Sequence, residues 1–526
     1  MEIKNLPNIS GTFHKQAHGA QKNLQVLKTA DADNFEKVVN SLVKHGYRLA
    51  WLFGTDDRSK DKTFGIHAIL SPDSVDHHNW VEVYTGLPEA NPHYPALTNT
   101  IMGAIWFEKY MMDMFGVVAD GHPDPRRIVH HENVPLNTHP LRKDFAWNTV
   151  MKKENNPHPM MQVEGNGIYQ IPVGPIHAGI IEPGHFRFSV AGERIINLEG
   201  KLFFTHKGVE KLVEGKSVQA ALPYIERLSD DSAASNALTF VQAVELIAGQ
   251  ESSDKINLLR TLVAELERMT MHIHDLANIA GMGTGYTIMA AHGFRIKENL
   301  VRLSEKVFGN RFWRGFIVPG GVSKDLNQAE LKAIEETTKE VMEEMRNLLK
   351  IGLESDGLME RMETSGVLKM EAAKAYGAVG LPARASNVKI DVRADHPYAA
   401  YGKLNNKVIS KTAGDVLARY VARAEELENS FDMVKEILDL LPKAAGKTKM
   451  ELALKNGEAL GAVESWRGEM LQFVRLDEKG HIDRFAVRDP SFCNWPLFGE
   501  IGPGNIVPDF PLCNKSLNLS YSGTDM

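Results

Sequence analysis

Three stretches of the chain repeat apolar residues at helical period, and together they demand a helical bundle. Leu259, Leu262, Val263, Leu266 and Met269 share one face. Leu331, Ile334, Val341, Met345 and Leu348 share a second, and Val416, Leu417, Tyr420, Val421, Ala424, Leu427 and Phe431 form a third. Residues three or four apart lie on one side of a helix, so each stripe needs a partner surface. Long antiparallel helices would bury all three. Thr412, with Asp415 three residues on, resembles a capping pair ahead of the third stripe. Taken alone, the stripes specify core and no chemistry.

Upstream the rhythm differs. Asp33 to His45 reads as a helix stopped by Gly46, and Arg48 to Gly54, Thr63 to Leu70 and Trp80 to Thr85 read as short strands between polar turns. Ile105 to Phe115 is an aromatic, methionine-rich helix, followed by a polar, Pro- and His-rich stretch from Gly121 to Asp144. This predicts an α+β domain over 1–150. The run KKENNPHP at 152–159 opposes regular structure and places a linker at 151–165. The remainder, 166–526, opens with a β-rich region from Tyr169 to Phe204, with a hairpin turn at Ala191-Gly-Glu. It then reads as a mainly α-helical bundle.

A length of 526 residues with 43% hydrophobic and 24% charged residues fits a soluble chain of two or three domains. A net charge of −7 argues against general nucleic-acid binding, which needs clustered cations. No apolar run reaches the roughly 20 residues of a membrane helix, and MEIKNLPNISGTFHKQ has no apolar signal core. Cys493 and Cys513 are the only cysteines, too few for a disulfide scaffold and wrongly spaced for Cys-x-x-Cys. The expectation is a cytoplasmic protein, or one attached to a membrane only through partners.

Two phosphate-binding patterns fail. Gly446-Lys-Thr448 needs a glycine at position 441, which is Leu441. Gly281-Met-Gly-Thr-Gly285 follows a helix, and position 286 is Tyr. His272 and His274 are two apart, the wrong spacing for one helix face. His122, His130, His131 and His139, among prolines, read as a solvated loop.

Three motifs in fixed order carry a family resemblance. Glu108-Lys-Tyr-Met-Met-Asp-Met-Phe-Gly116, Gly121-His-Pro-Asp-Pro-Arg-Arg127 and His139-Pro-Leu-Arg-Lys-Asp-Phe145 resemble the C subunit of respiratory complex I, a docking module without cofactor. Arg126, Arg127, Arg142 and Lys143 offer cations that can fix carboxylates across an interface. The segments Val173 to His185, Thr205 to Lys211, Leu262 to His272, Leu381 to Arg393 and Glu464 to Glu469 resemble the complex I D subunit. They also resemble the large subunit of membrane-bound, energy-converting nickel–iron hydrogenases, the formate hydrogenlyase type included. The resemblance implies a fused C–D-type subunit of an oxidoreductase complex of the NADH-quinone oxidoreductase kind, transferring electrons coupled to ion translocation. Any NADH site would lie on another subunit. Implied partners are a small subunit with a [4Fe–4S] cluster, a ferredoxin-like subunit and antiporter-like membrane subunits.

Against that family, four residues are conspicuous for not being cysteine. Ser229, Ser232, Ser491 and Asn494 occupy the slots of two metal-binding Cys-x-x-Cys pairs. Hydroxyl and amide groups are poor ligands for soft metals, so no [NiFe] centre is expected. Cys493 is one residue out of register and reads as a small buried side chain. The resemblance also implies a quinone site between a histidine, here His177, and a tyrosine whose slot is Asp230. A carboxylate lacks the phenol's neutral donor. The implied cleft set is His177, Asp230, Asp231, Glu265, Arg268, Arg384 and Arg467, readable as a proton relay or as ion-paired core. A quinone reductase with an altered pocket, a non-catalytic coupling scaffold and a true hydrogenase are the rival readings.

Overall fold

The computed structural model describes residues 12–15, 24–72, 80–177 and 181–526. Residues 1–11, with most of the N-terminal segment, and 178–180, inside the Val173 to His185 motif, lie outside it.

The first domain is a five-stranded sheet in the order Thr12–Lys15, Gln25–Lys28, Val81–Pro88, Thr63–Pro72, Tyr47–Asp56. Gln25–Lys28 runs parallel to Val81–Pro88 and the other neighbours are antiparallel. The helix Ala32–Lys44 starts where Asp31 accepts the Asn34 N–H at 2.8 Å, and it buries Phe35, Val38, Val39 and Leu42. Such a cap contributes about 1 kcal/mol. The helix Ile105–Phe115 has the predicted bounds. Its Phe115 ring lies so close to Gly54 that a Cβ there would sit 3.0 Å from Cδ2.

The Pro- and His-rich stretch is not the solvated loop expected from its polarity. His122 and His130 are buried, and the Asp113 carboxylate accepts the backbone N–H groups of Ile128, Val129 and His130 at 2.8–3.2 Å. Burial drives the His130 imidazole down to about 3, so it is neutral. Backbone capture by one buried carboxylate packs the stretch without regular structure. From 151 to 164 the chain has none.

The second domain opens with the strands Ile168–Val173, His185–Ala191 and Arg194–Lys201, the latter two forming the expected hairpin. The helices Ala233–Ala248, Asp254–Asn278, Thr287–Phe308, Gln328–Leu353 and Val416–Leu440 form the bundle. Asp254–Asn278 is its axis, buried continuously from Leu258 to Ile273. It ends in a π-turn, Ile279–Gly283, where a Cβ on Gly281 would lie 2.3 Å from Ala290 Cβ. The glycines that imitate a nucleotide fingerprint therefore serve helix packing. Asp415 caps Val416–Leu440 by accepting the Ala418 N–H at 2.8 Å.

The largely helical expectation needs one correction. Gly457–Ser465, Gly468–Leu476 and Ile482–Arg488 form a three-stranded antiparallel sheet. The strands are almost wholly buried. Their charged residues meet partners instead of water, which erases the alternation that announces a strand.

This sheet is also the seam between the domains. Phe473 packs on Phe53 (4.9 Å between ring centres) and on His67 (5.6 Å). Glu469 receives Arg48 at 2.8 Å and Arg488 at 2.9 Å, while Asp57 receives Arg475 at 2.6 Å. Of the four predicted docking cations, Arg126 reaches Glu199 and Lys143 reaches Glu214, both in the second domain. Arg142 and Arg127 instead donate to backbone carbonyls within the first.

Candidate functional site

The four slot residues are all buried and come together at the foot of the bundle. Ser229 Oγ lies 2.9 Å from Ser520 Oγ, and the Ser520 N–H donates to Ser491 Oγ at 2.9 Å. Asn494 exchanges two hydrogen bonds with the Val379 backbone, at 3.1 and 3.0 Å. Arg467 grips Asp231 through both guanidinium nitrogens at 2.7 Å and donates to the Asn518 carbonyl at 2.6 Å. Its planar fork suits that bidentate geometry. The same guanidinium lies 3.9 Å above the Trp466 ring, whose N–H donates to the Asp231 carbonyl.

Asp231 and Arg467 line a cavity of about 260 Å³ together with Lys515, Asn518 and Tyr521. Burial opposes the Asp231 charge, but Arg467 overrides it and holds the carboxyl down at about 2. With its side chain 36% exposed to the cavity, Asp231 is an anion that a small molecule can meet. Its neighbour Asp230 also lines the cavity and is 65% exposed, with Arg314 at 3.6 Å.

The rest of the expected set lies apart from this cavity. Glu265, Arg268 and Arg384 belong to a fully buried network between the axial helix, the helix Val416–Leu440 and the strand Gly457–Ser465. Arg384 bridges Glu426 at 2.8 Å and Glu464 at 2.6 Å. Arg268 donates to the Ser465 carbonyl at 2.9 Å, and Glu265 accepts the Tyr401 hydroxyl at 2.5 Å. Arg393 holds Asp391 at 2.7 Å and approaches Glu265 at 3.4 Å. Burial lifts the Glu464 carboxyl to about 7 although Arg384 favours its anion. His272 contacts Glu426 at 3.0 Å and is pushed by burial down to about 4. His177 Nε2 lies 2.7 Å from the Gly184 carbonyl, and neither His177 nor Arg384 lines the cavity.

The two regions are linked, and sequence reading missed the linking residues. Asp275 accepts Arg423 at 2.8 Å and the Asn518 amide at 2.5 Å. Asn518 in turn receives Arg467, and the His272 ring packs edge-on against Trp466 with centres 6.4 Å apart. Glu265, Arg268, His272 and Asp275 recur every three or four residues on the axial helix. Arg419, Arg423 and Glu426 do the same on its neighbour. That spacing is a readable signal of a polar seam between two buried helices.

Comparison with known proteins places this arrangement. The family described as respiratory-chain NADH dehydrogenase, 30 Kd subunit, matches residues 28–150. The 49 Kd subunit family matches 283–455 and 447–526. The chain is a fused 30 Kd/49 Kd-type subunit of the complex I family. This fused subunit is 29% identical to formate hydrogenlyase subunit 5 of Escherichia coli (strain K12), over 97% of its own length and 90% of that protein. It is also 29% identical to the C/D subunit of NADH-quinone oxidoreductase from Phocaeicola vulgatus, over 76% and 79% respectively. A chain of the membrane-bound sulfane sulfur reductase, an archaeal respiratory membrane complex, shares the fold with a TM-score of 0.65. That match has 24% identity and covers 68% of the fused subunit and 99% of the other chain.

The residues present in the fused subunit do not fit a nickel–iron centre. The slot hydroxyls and amide are engaged with Ser520, with the Asp231–Arg467 pair and with the Val379 backbone. Burial raises the thiols of Cys493 and Cys513, keeping both protonated within the core. Among the described residues no group of three or more His, Cys, Asp and Glu is placed to hold a metal ion. Nor, among them, is any helix long and apolar enough to cross a membrane.

Proposed function

We propose that this chain is the large subunit of a membrane-associated oxidoreductase complex whose electron acceptor binds in the cavity beside Asp231 and Arg467. The observation that carries the reading is a similarity spanning both domains, combined with complete replacement of the four thiolate slots. The relatives are named as formate hydrogenlyase, hydrogenase and NADH-quinone oxidoreductase subunits. By the same likeness a small subunit would deliver electrons from its own [4Fe–4S] cluster, and membrane subunits would hold the chain at the inner membrane.

The chain's own groups supply a binding wall and a proton reservoir. Arg467, locked by Asp231 and Asn518, presents a fixed cationic face. Glu464 changes charge near neutral pH, and His272 is an uncharged imidazole against Glu426. The Asp275–Asn518–Arg467 contacts join this seam to the cavity, so a proton lost or gained in the seam alters the field at Arg467. Coupling of electron arrival to ion movement would act through that field.

Metal analysis and turnover of the purified complex test the proposal. Iron without stoichiometric nickel is expected. Arg467→Met should lower turnover at least tenfold while the [4Fe–4S] cluster of the small subunit stays reducible by dithionite. Stoichiometric nickel would establish a hydrogenase instead, and unchanged turnover in Arg467→Met would favour a non-catalytic scaffold.

A further inference from the structure

Not every charge around the 260 Å³ cavity is paired. Three carboxylates are matched by cations, Asp231 by Arg467, Asp275 by Arg423 and Asp230 by Arg314, while Glu182 accepts the Ser522 N–H at 3.0 Å and acts on Lys207 from a distance. Two lysines remain. Lys515 lines the cavity and makes no hydrogen bond or ion pair among the described residues. Lys297 has His274 as its near contact, Nζ to Nδ1 at 3.4 Å. The carboxylates that act on it, Asp231, Asp275 and Glu298, are already paired with arginines. Asp489, buried next to the Ser491 N–H, is the one further carboxylate near Arg467. Lys515 thus has no carboxylate of its own, since Asp275, which acts on it, is paired with Arg423.

Half-buried ammonium groups without a paired carboxylate are costly. Burial lowers both lysines below the ordinary value, and burial with the neighbouring Lys297 drives His274 down to about 3. A site that tolerates this cost is stabilised by whatever anion completes it. The volume is below that of drug-sized pockets, roughly 300–1,000 Å³, so the occupant has few heavy atoms. The lining also includes Asn514 and Tyr521, whose amide and hydroxyl are neutral donors suited to an anionic oxygen.

We propose that the cavity binds a small anion of carboxylate or oxyanion size, with the Lys515 ammonium as its direct counter-ion and Arg467 as the fixed wall behind it. The inference deepens the proposed function, on which it rests for the identity of the cavity as the acceptor site. It names charge and size as what the site selects.

The test uses the purified complex at fixed ionic strength and a charged and neutral pair of equal shape, acetate and acetamide. Dissociation constants are read by saturation-transfer NMR titration. Acetate is expected to bind at least tenfold more tightly than acetamide. Lys515→Met should remove that preference and Lys515→Arg should retain it. The melting temperature should not fall, and the dithionite-reduced EPR signal of the cluster on the small subunit should stay unchanged, in both variants. Equal affinities for the two probes, no measurable acetate binding, or an acetate affinity unaltered in Lys515→Met would overturn the proposal. The two readings fail separately. Lost acetate binding with normal Arg467-dependent turnover sinks the anion site alone. Intact acetate selectivity with turnover indifferent to Arg467→Met sinks the acceptor role alone.

Discussion

Arg384 shows what a single charge does inside this fold. Its side chain is fully buried and spans Glu426 and Glu464, on two different elements. Arg384→Met would leave both carboxylates without their cation in an apolar setting. The expected loss is roughly 3–5 kcal/mol, measured by urea denaturation, because desolvation is no longer offset. Adding Glu464→Gln to Arg384→Met should recover part of that loss, since the neutral amide costs less to bury. Additive losses would show that the pair is not coupled. Arg384 and Arg467 could both be picked out from sequence, each followed by small residues. What separates them was not legible there. Arg467 lies beside a cavity because Asn518, near the C-terminus, holds its Nε, a contact between residues 51 apart.

At the scale of elements, polar seams replace apolar stripes wherever two helices are buried on all sides. The helix Val416–Leu440 buries Arg419, Arg423 and Glu426 as well as Val416, Tyr420 and Leu427, so its polar residues do not mark a solvated face. The apolar stripes were legible because burial selects them whatever lies opposite. The seam carries the same three-to-four spacing, but in either helix alone that spacing reads equally as a solvated face, because the pairing across helices is not written in one helix.

Glu267, on the axial helix, accepts the Ala234 N–H at 2.7 Å and the Ser235 hydroxyl at 2.5 Å at the start of Ala233–Ala248. Burial nevertheless raises its carboxyl from 4.5 to about 7. A raised carboxyl binds more protons folded than unfolded, so its stabilisation is full below about pH 4.5 and is lost as pH rises through 7. Over that window Glu267 should account for roughly 2–4 kcal/mol of declining stability. Glu267→Gln should flatten the decline, read as the difference between urea midpoints of the two proteins at pH 5 and pH 8. A difference independent of pH would refute it. At the other buried helix start, Asp415→Ala should cost about 1 kcal/mol by the same assay.

For the whole molecule, the decisive feature is the seam that makes two domains one body. The domain order and the irregular linker follow from composition and turn residues. The seam was invisible because its sheet, Gly457 to Arg488, hides its charges by pairing them with residues some 420 positions away, Arg48 with Glu469 and Asp57 with Arg475. Glu469 is the keystone. It receives Arg48 from the first domain and Arg488 from its own sheet, and Arg488 also donates to the Ala50 carbonyl at 2.7 Å. Glu469→Ala would leave two buried guanidinium groups facing each other across the seam. Repulsion and desolvation then act together, at a cost of roughly 3–5 kcal/mol. The cost falls at the contact between domains, since each domain keeps its own core. Hydrogen exchange of the assembled complex should therefore show the strand Tyr47–Asp56 opening faster, with the axial helix Asp254–Asn278 as protected as before. Exchange that accelerates equally in both elements would mean that the two domains share a single cooperative core, with Glu469 as one interior ion pair among several.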